Sequence, residues 1–144
     1  MRKPLVVIDT NLFISALILP NSRPGLLVNL WKKGKFELAS SVPMIEELEV
    51  VLERPKYQDI YRIKPDEREK LLKLLKIRMK ILTNVSKPKV VVRDVKDIIV
   101  LATAIDSLAD YLITGDKDLL VLKDKKELGK LKILTATEFI DKVA

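Results

Sequence analysis

Asp9, Glu47, Asp97 and Asp116 are the residues of this chain whose type and placement suit chemistry. Asp9 ends the apolar run Leu5-Val6-Val7-Ile8, and Asp116 follows Tyr111-Leu112-Ile113-Thr114 after a single glycine. Glu47 and Asp97 each interrupt what reads as the apolar face of a helix. Charged side chains are rarely buried unless they are paired or bound to a metal. The chain has no histidine and no cysteine. That removes the commonest general base, thiolate zinc sites, disulfides and every Ser-His or Cys-His mechanism. An all-oxygen donor set suits Mg²⁺ or Mn²⁺ rather than zinc. Such an ion keeps several waters, and one of them can become a nucleophile. Two carboxylates ~5 Å apart repel by roughly 3 kcal/mol at an effective dielectric of ~20, whereas a domain is stable by only about 5–15 kcal/mol. Four acids brought together would therefore take up protons or bind a cation.

Each acid also has a plain structural alternative. At about 100° per residue, Leu101, Ala104 and Leu108 share a helical face with Asp97, while Lys96, Thr103, Asp106, Ser107 and Asp110 gather opposite. Asp97 also fits as a first-turn carboxylate favoured by the helix dipole. Glu47 points away from Glu46, Glu49 and Glu53, towards Pro43, Val50, Val51 and Met44; its alternative is a boundary glutamate that reaches water. Asp9 fits as a helix N-cap, and Asp116 as part of a Gly-Asp turn. Asp118 is either a fifth acid of the site or a cap for Leu119-Leu120. An acid at a strand end also accepts phosphoryl groups in some enzymes, but these usually carry a second Asp two residues later, where this chain has Asn11.

With 144 residues, 48% of them hydrophobic, the sequence predicts a single domain over 1–144 with a sizeable core. The formal net charge of +7 favours a polyanionic partner, and for a metal-bound water the natural anionic substrate is a phosphodiester. A Lys/Glu-rich solvated surface of the hyperthermophile kind explains the same lysines. Arg93, Lys117, Lys123, Lys125 and Lys126 are candidates for gripping phosphates near the acids; a solvated charged face is their alternative. The segment with Lys70, Lys73, Lys76, Arg78 and Lys80 also carries Leu71, Leu74 and Leu75, so it offers a basic face to RNA or an apolar face to a subunit. One Trp and three Tyr argue against extensive base stacking and for backbone binding with weak sequence readout. No apolar run approaches a membrane span and no signal-peptide pattern opens the chain. A cytoplasmic location is expected, which the lack of cysteine fits.

The elements that must position the acids alternate between strands and helices, which predicts an α/β fold with a mostly parallel central sheet. Leu5 to Ile8 reads as a strand buried on both faces. Helices are expected over Thr10 to Leu19, Pro24 to Lys33, from a Ser40 or Ser41 cap to Arg54-Pro55, over Pro65 to Lys80, and over Asp94 to Ala109. Further strands are expected at Phe36 to Ser40, Ile81 to Thr83, Tyr111 to Thr114 and Lys132 to Leu134. Lys56 to Lys64 reads as a loop or short irregular helix, and Lys87 to Val92 as extended. Thr135-Ala-Thr-Glu138 has the form of a capping box.

The ordered motifs resemble those of PIN domains. Val7-Ile8-Asp9-Thr10-Asn11-Leu12-Phe13-Ile14-Ser15-Ala16-Leu17 is similar to the family's opening motif. Ser41-Val-Pro-Met-Ile-Glu46-Glu47-Leu48, followed by Val51-Leu52-Glu53-Arg54-Pro55-Lys56, is similar to the second. Arg93-Asp94-Val95-Lys96-Asp97 resembles the third, Tyr111 to Leu120 the fourth, and Thr137-Glu138-Phe139-Ile140 the closing segment. The resemblance implies a three-layer α/β/α sandwich and a metal-dependent ribonuclease acting on single-stranded or structured RNA. It implies that Asp9, Glu47, Asp97 and Asp116 bind one or two Mg²⁺ or Mn²⁺ ions, supported by Asn11, Ser15, Thr114 and Asp118. Many members are toxins of VapBC-type toxin–antitoxin pairs held by an antitoxin, and homodimers or higher oligomers are a family expectation. Ile98 departs from the pattern, since close relatives often have Asn after the third acid. A PIN-like module that binds RNA or protein with little or no cleavage is the competing expectation.

Overall fold

A computed structural model describes residues 2–87, 90 and 92–144. The elements in chain order are β1 (Leu5–Ile8), α1 (Thr10–Ile18), α2 (Arg23–Lys32), β2 (Glu37–Ser41), α3 (Val42–Leu52), α4 (Pro55–Asp59), α5 (Pro65–Arg78) and β3 (Lys80–Leu82). They continue with α6 (Val95–Asp106), β4 (Tyr111–Ile113), α7 (Lys117–Leu120), a 3-10 turn at Lys126–Leu128, β5 (Lys132–Leu134) and α8 (Ala136–Val143). The expected extended segment Lys87 to Val92 includes Pro88, Lys89 and Val91, which lie outside the described residues.

The strands form one parallel sheet in the order β3-β2-β1-β4-β5. The chain winds outward from β1 through β2 to β3, then crosses back to place β4 on the other side of β1. The winding direction thus reverses between β1 and β4. Open parallel sheets bind ligands at the carboxyl ends of the strands flanking such a reversal. α6 leads into β4 and so runs against the strands, bringing its first turn to that same edge.

Side-chain alternation along β1 builds two cores. Val6 and Ile8 join Leu38 and Ile113 on one face, under Phe13, Leu27, Trp31, Leu75 and Phe139. Val7 joins Ala39, Leu112 and Ile133 on the other, under Val100, Leu101, Ala104 and Leu119. Helices α1, α2, α5 and α8 therefore cover one face, and α6 and α7 the other, giving the expected three layers. α3 straddles the edge: Ile45, Leu48 and Leu52 enter the first core and Met44 the second. Gly25 is required where α2 passes Pro20, since a Cβ there would lie 2.0 Å from the Pro20 carbonyl oxygen. Gly34 leaves α2 with a φ of 81°, a conformation that glycine adopts without steric cost.

The capping box at Thr135 is present with both of its hydrogen bonds, Glu138 N to Thr135 Oγ1 and Thr135 N to Glu138 Oε1. Several expectations need correction. Ser41 stands at the N-cap of α3 but its hydroxyl does not cap; it pairs with Thr103 Oγ1 at 2.8 Å, inside the protein. Thr103 and Ser107 are buried rather than facing solvent, because α6 packs against the sheet, α3 and α7, and their hydroxyls bond the helix carbonyls of Ile99 and Ala104. Leu108 is 80% exposed with φ at 59°, because α6 stops at Asp106 and the chain turns out before β4. Val50 is 61% exposed, so Glu47 sits at the border of the apolar stripe of α3 rather than within it. For Lys56 to Lys64 the helical alternative holds at its start, where the short helix α4 runs over Pro55–Asp59.

Candidate metal centre

Asp9 is the first residue beyond β1 and the N-cap of α1. Its Oδ1 accepts from the Asn11 amide at 3.3 Å and its Oδ2 from the Thr114 hydroxyl at 2.9 Å. Thr114 follows β4, is fully buried, and anchors to β5 by donating its amide to the Leu134 carbonyl. The Thr114 hydroxyl oxygen also accepts from the Asp116 amide at 3.0 Å. Asp116 in turn caps α7, its Oδ1 accepting from the Asp118 amide at 2.8 Å. One line of hydrogen bonds thus runs from Asp9 through Thr114 and Asp116 to Asp118, across the β1–β4 crevice. Capping and site membership are not exclusive: Asp9 and Asp116 do both.

Asp97 enters from the first turn of α6 and is only 2% exposed. Carboxylate oxygens of Asp97, Asp116 and Asp118 lie within 4.8 Å of one another. Asp97 Oδ2 is buried and has no hydrogen-bond partner among the described residues. Burial raises the Asp97 pKa first. The nearby carboxylate of Asp116 and the charges of Asp94 and Asp9 add to this, lifting it from 3.8 to about 7. A buried acceptor without a partner costs free energy. Three convergent carboxylates with one such oxygen fit a hard divalent cation, which accepts oxygen donors of this kind.

Glu47 and Asp9 are outside that tight trio, although the charge of Asp9 still acts on Asp97. Glu47 lies on the second turn of α3, roughly 7 Å of helix rise beyond its start, whereas Asp97 is at the very start of α6. Its Oε1 is 3.3 Å from Lys96 Nζ, and the same ammonium donates to Asn11 Oδ1 at 3.0 Å. Asp118, expected as a fifth acid of the site or as a cap, joins the trio and also pairs with Arg93 at 3.0 Å. Lys117, Lys123, Lys125 and Lys126 are exposed on and after α7, while Lys123 also borders a hollow formed with Lys130, Lys132 and Glu138. Ser15 is exposed on α1, and among the described residues it makes no side-chain hydrogen bond to the acids. Ile98 is half-buried beside Asp97.

Lys96 is the residue that sequence reasoning misplaces, among the polar residues opposite Asp97. Its position immediately before the third acid is the available signal: a first-turn neighbour lies about 100° away, and a long flexible stem closes that gap.

Residues 5–118 match the PIN domain, a stretch that contains all five acids. The chain belongs to the PIN domain family. An uncharacterised protein of Methanocaldococcus jannaschii is 34% identical over 143 residues, covering 94% of this chain and 89% of that protein. Among solved structures, a chain of VapBC2 from Rickettsia felis, crystallised bound to a DNA fragment from their promoter, aligns with a TM-score of 0.58. The alignment covers 91% of this chain and 98% of that one at 17% identity, a likeness of fold alone. PIN domains are generally nucleases that use divalent metal ions, and this PIN domain carries a cluster of three acids, Asp97, Asp116 and Asp118.

Proposed function

We propose that this PIN domain is a Mg²⁺- or Mn²⁺-dependent endoribonuclease that hydrolyses RNA phosphodiester bonds at the carboxylate site. The observation that carries this reading is the buried, unpartnered Asp97 Oδ2 beside Asp116 and Asp118. Asp97, Asp116 and Asp118 would hold the cation, with Asp9 and Glu47 lining its surroundings. Bound there, a divalent ion supplies Lewis-acid activation of water and neutralises charge developing on the phosphate. Thr114 fixes Asp9 and Asp116 in orientation, as the outer hydrogen bonds of a metal site do. Arg93, paired with Asp118, and the exposed Lys117 would grip phosphates flanking the cleaved bond, with Lys123, Lys125 and Lys126 as further candidates.

Single-stranded or structured RNA is the proposed substrate, supported by the basic net charge of +7 and the shortage of aromatic stacking residues. A toxin role with an antitoxin partner belongs to the same reading, supported by the occurrence of this fold in the VapBC2 assembly. We place its action in the cytoplasm and expect a homodimer or higher homo-oligomer. Among the described residues no helix is long and apolar enough to cross a membrane.

Labelled single-stranded RNA incubated with Mn²⁺, with EDTA, and with Asp116→Asn protein tests the proposal. Cleavage that needs Mn²⁺ and is lost in the variant supports it; cleavage that survives EDTA or the substitution removes the metal-nuclease reading. A second reading, a PIN-fold binding module with little catalysis, is favoured by the Lys96 ammonium paired to Glu47 and by Ile98. RNA retention without cleavage under all metal conditions would establish that alternative.

A further inference from the structure

We propose that Lys96 is a resident cation of the acid site, which occupies the Glu47 side and restricts the centre to a single divalent ion. The inference rests on the metal-centre reading above and specifies its stoichiometry. Lys96 Nζ lies 3.0 Å from Asn11 Oδ1 and 3.3 Å from Glu47 Oε1, so one ammonium joins α1, α3 and α6. The pair is half-buried, with side chains 29% and 30% exposed, and salt screens it less than a fully exposed pair.

The charges of the site divide accordingly. Lys96 answers Glu47, and Arg93 answers Asp118 at the rim. Asp97 Oδ2, in contrast, is buried and has no partner among the described residues. The place for a divalent cation is therefore at Asp97, Asp116 and Asp118, where carboxylate oxygens converge. Two-metal phosphoryl-transfer centres hold their ions about 3.5–4 Å apart. A second ion here would have to seat on the Glu47 side, against an ammonium already bonded there. An ammonium has three donors; Asn11 and Glu47 use two, and the third can reach a phosphate oxygen. Lysine is a compact point charge that binds phosphate well. Lys96 thus does for the substrate phosphate part of what a second ion does elsewhere. It acts as a positioning residue for Asn11 and Glu47, and as a charge.

The test is a calorimetric titration of Mn²⁺ into the full chain stripped with EDTA and dialysed, with free Mn²⁺ counted by electron paramagnetic resonance. Wild type is expected to bind one Mn²⁺ per chain. Lys96→Gln and Lys96→Met are expected to bind two, the second more weakly, and Lys96→Gln with Glu47→Gln one again. Lys96→Arg, which keeps the charge, is expected to stay at one. Lys96→Gln retains hydrogen bonding at a half-exposed position, and thermal melts in EDTA verify that each variant is folded. Two ions in wild type, or one in both Lys96→Gln and Lys96→Met, would overturn the role of Lys96 and leave the metal centre standing. No Mn²⁺ bound by wild type would overturn both.

Discussion

Replacing Asp97 by asparagine should stabilise the metal-free protein and at the same time remove its stabilisation by Mn²⁺. The folded carboxyl titrates near 7 instead of 3.8 because it is buried among other acids. Between those values the unfolded chain releases its proton while the folded chain retains it. Stability present below about pH 4 is therefore lost as pH rises, and the loss is complete above about pH 7. Each unit is worth about 1.4 kcal/mol, so the gap corresponds to at most ~4 kcal/mol. Local relaxation around the buried carboxyl brings the expected penalty to roughly 2–4 kcal/mol at pH 8. Asparagine has nearly the same shape and no charge. At ~3–4 °C per kcal/mol for a domain of this size, Asp97→Asn should melt roughly 6–16 °C above wild type in EDTA at pH 8, and close to wild type at pH 4. In Mn²⁺ at about 100 times Kd, wild type gains about 2.7 kcal/mol that the variant lacks. Differential scanning calorimetry at the two pH values, with and without metal, measures all four states. A variant that melts below wild type at pH 8 in EDTA, an offset that does not change with pH, or a full Mn²⁺ shift in the variant would each refute the reasoning.

Three further outcomes follow from the same geometry. Thr114→Val strips the hydroxyl that serves Asp9 Oδ2 and the Asp116 amide; urea denaturation should show a loss of about 1–3 kcal/mol, and Mn²⁺ affinity should fall about 10–100-fold. Gly25→Ala forces a Cβ against the Pro20 carbonyl and should cost about 3 kcal/mol or more by the same assay; an unchanged midpoint would contradict the close approach of α2. Arg93→Ala should weaken binding of single-stranded RNA across sequences. With one phosphate fewer neutralised, the slope of log K against log salt should shrink by about 0.7, and an unchanged slope would remove Arg93 from the phosphate track.

Strand-end acids were legible in the sequence because they follow apolar runs buried on both faces: Asp9 after β1 and Asp116 after β4. Asp97 was legible because it breaks an apolar stripe at a helix start, and Thr135 because a capping box is local chemistry. What was not legible depends on which faces of a helix the rest of the fold covers. Thr103 and Ser107 read as solvent-facing until α3, the sheet and α7 closed around α6. Glu47 read as central until Val50 beside it proved exposed and Lys96 reached it from another helix. A helix wheel places side chains around one axis and says nothing of a partner arriving from α6 to α3. The candidate acids are readable in the sequence, but that Lys96 answers Glu47, Arg93 answers Asp118 and Asp97 keeps a buried oxygen without a partner among the described residues needs the tertiary structure.

The central claim, that Asp97, Asp116 and Asp118 form one site for a hard divalent cation, is tested most directly by anomalous scattering from crystals soaked in Mn²⁺. The account predicts a single strong peak within coordination distance of Asp97 Oδ2 and of carboxylate oxygens of Asp116 and Asp118. A map with no peak there, or with Mn²⁺ held only elsewhere on the surface, would contradict it.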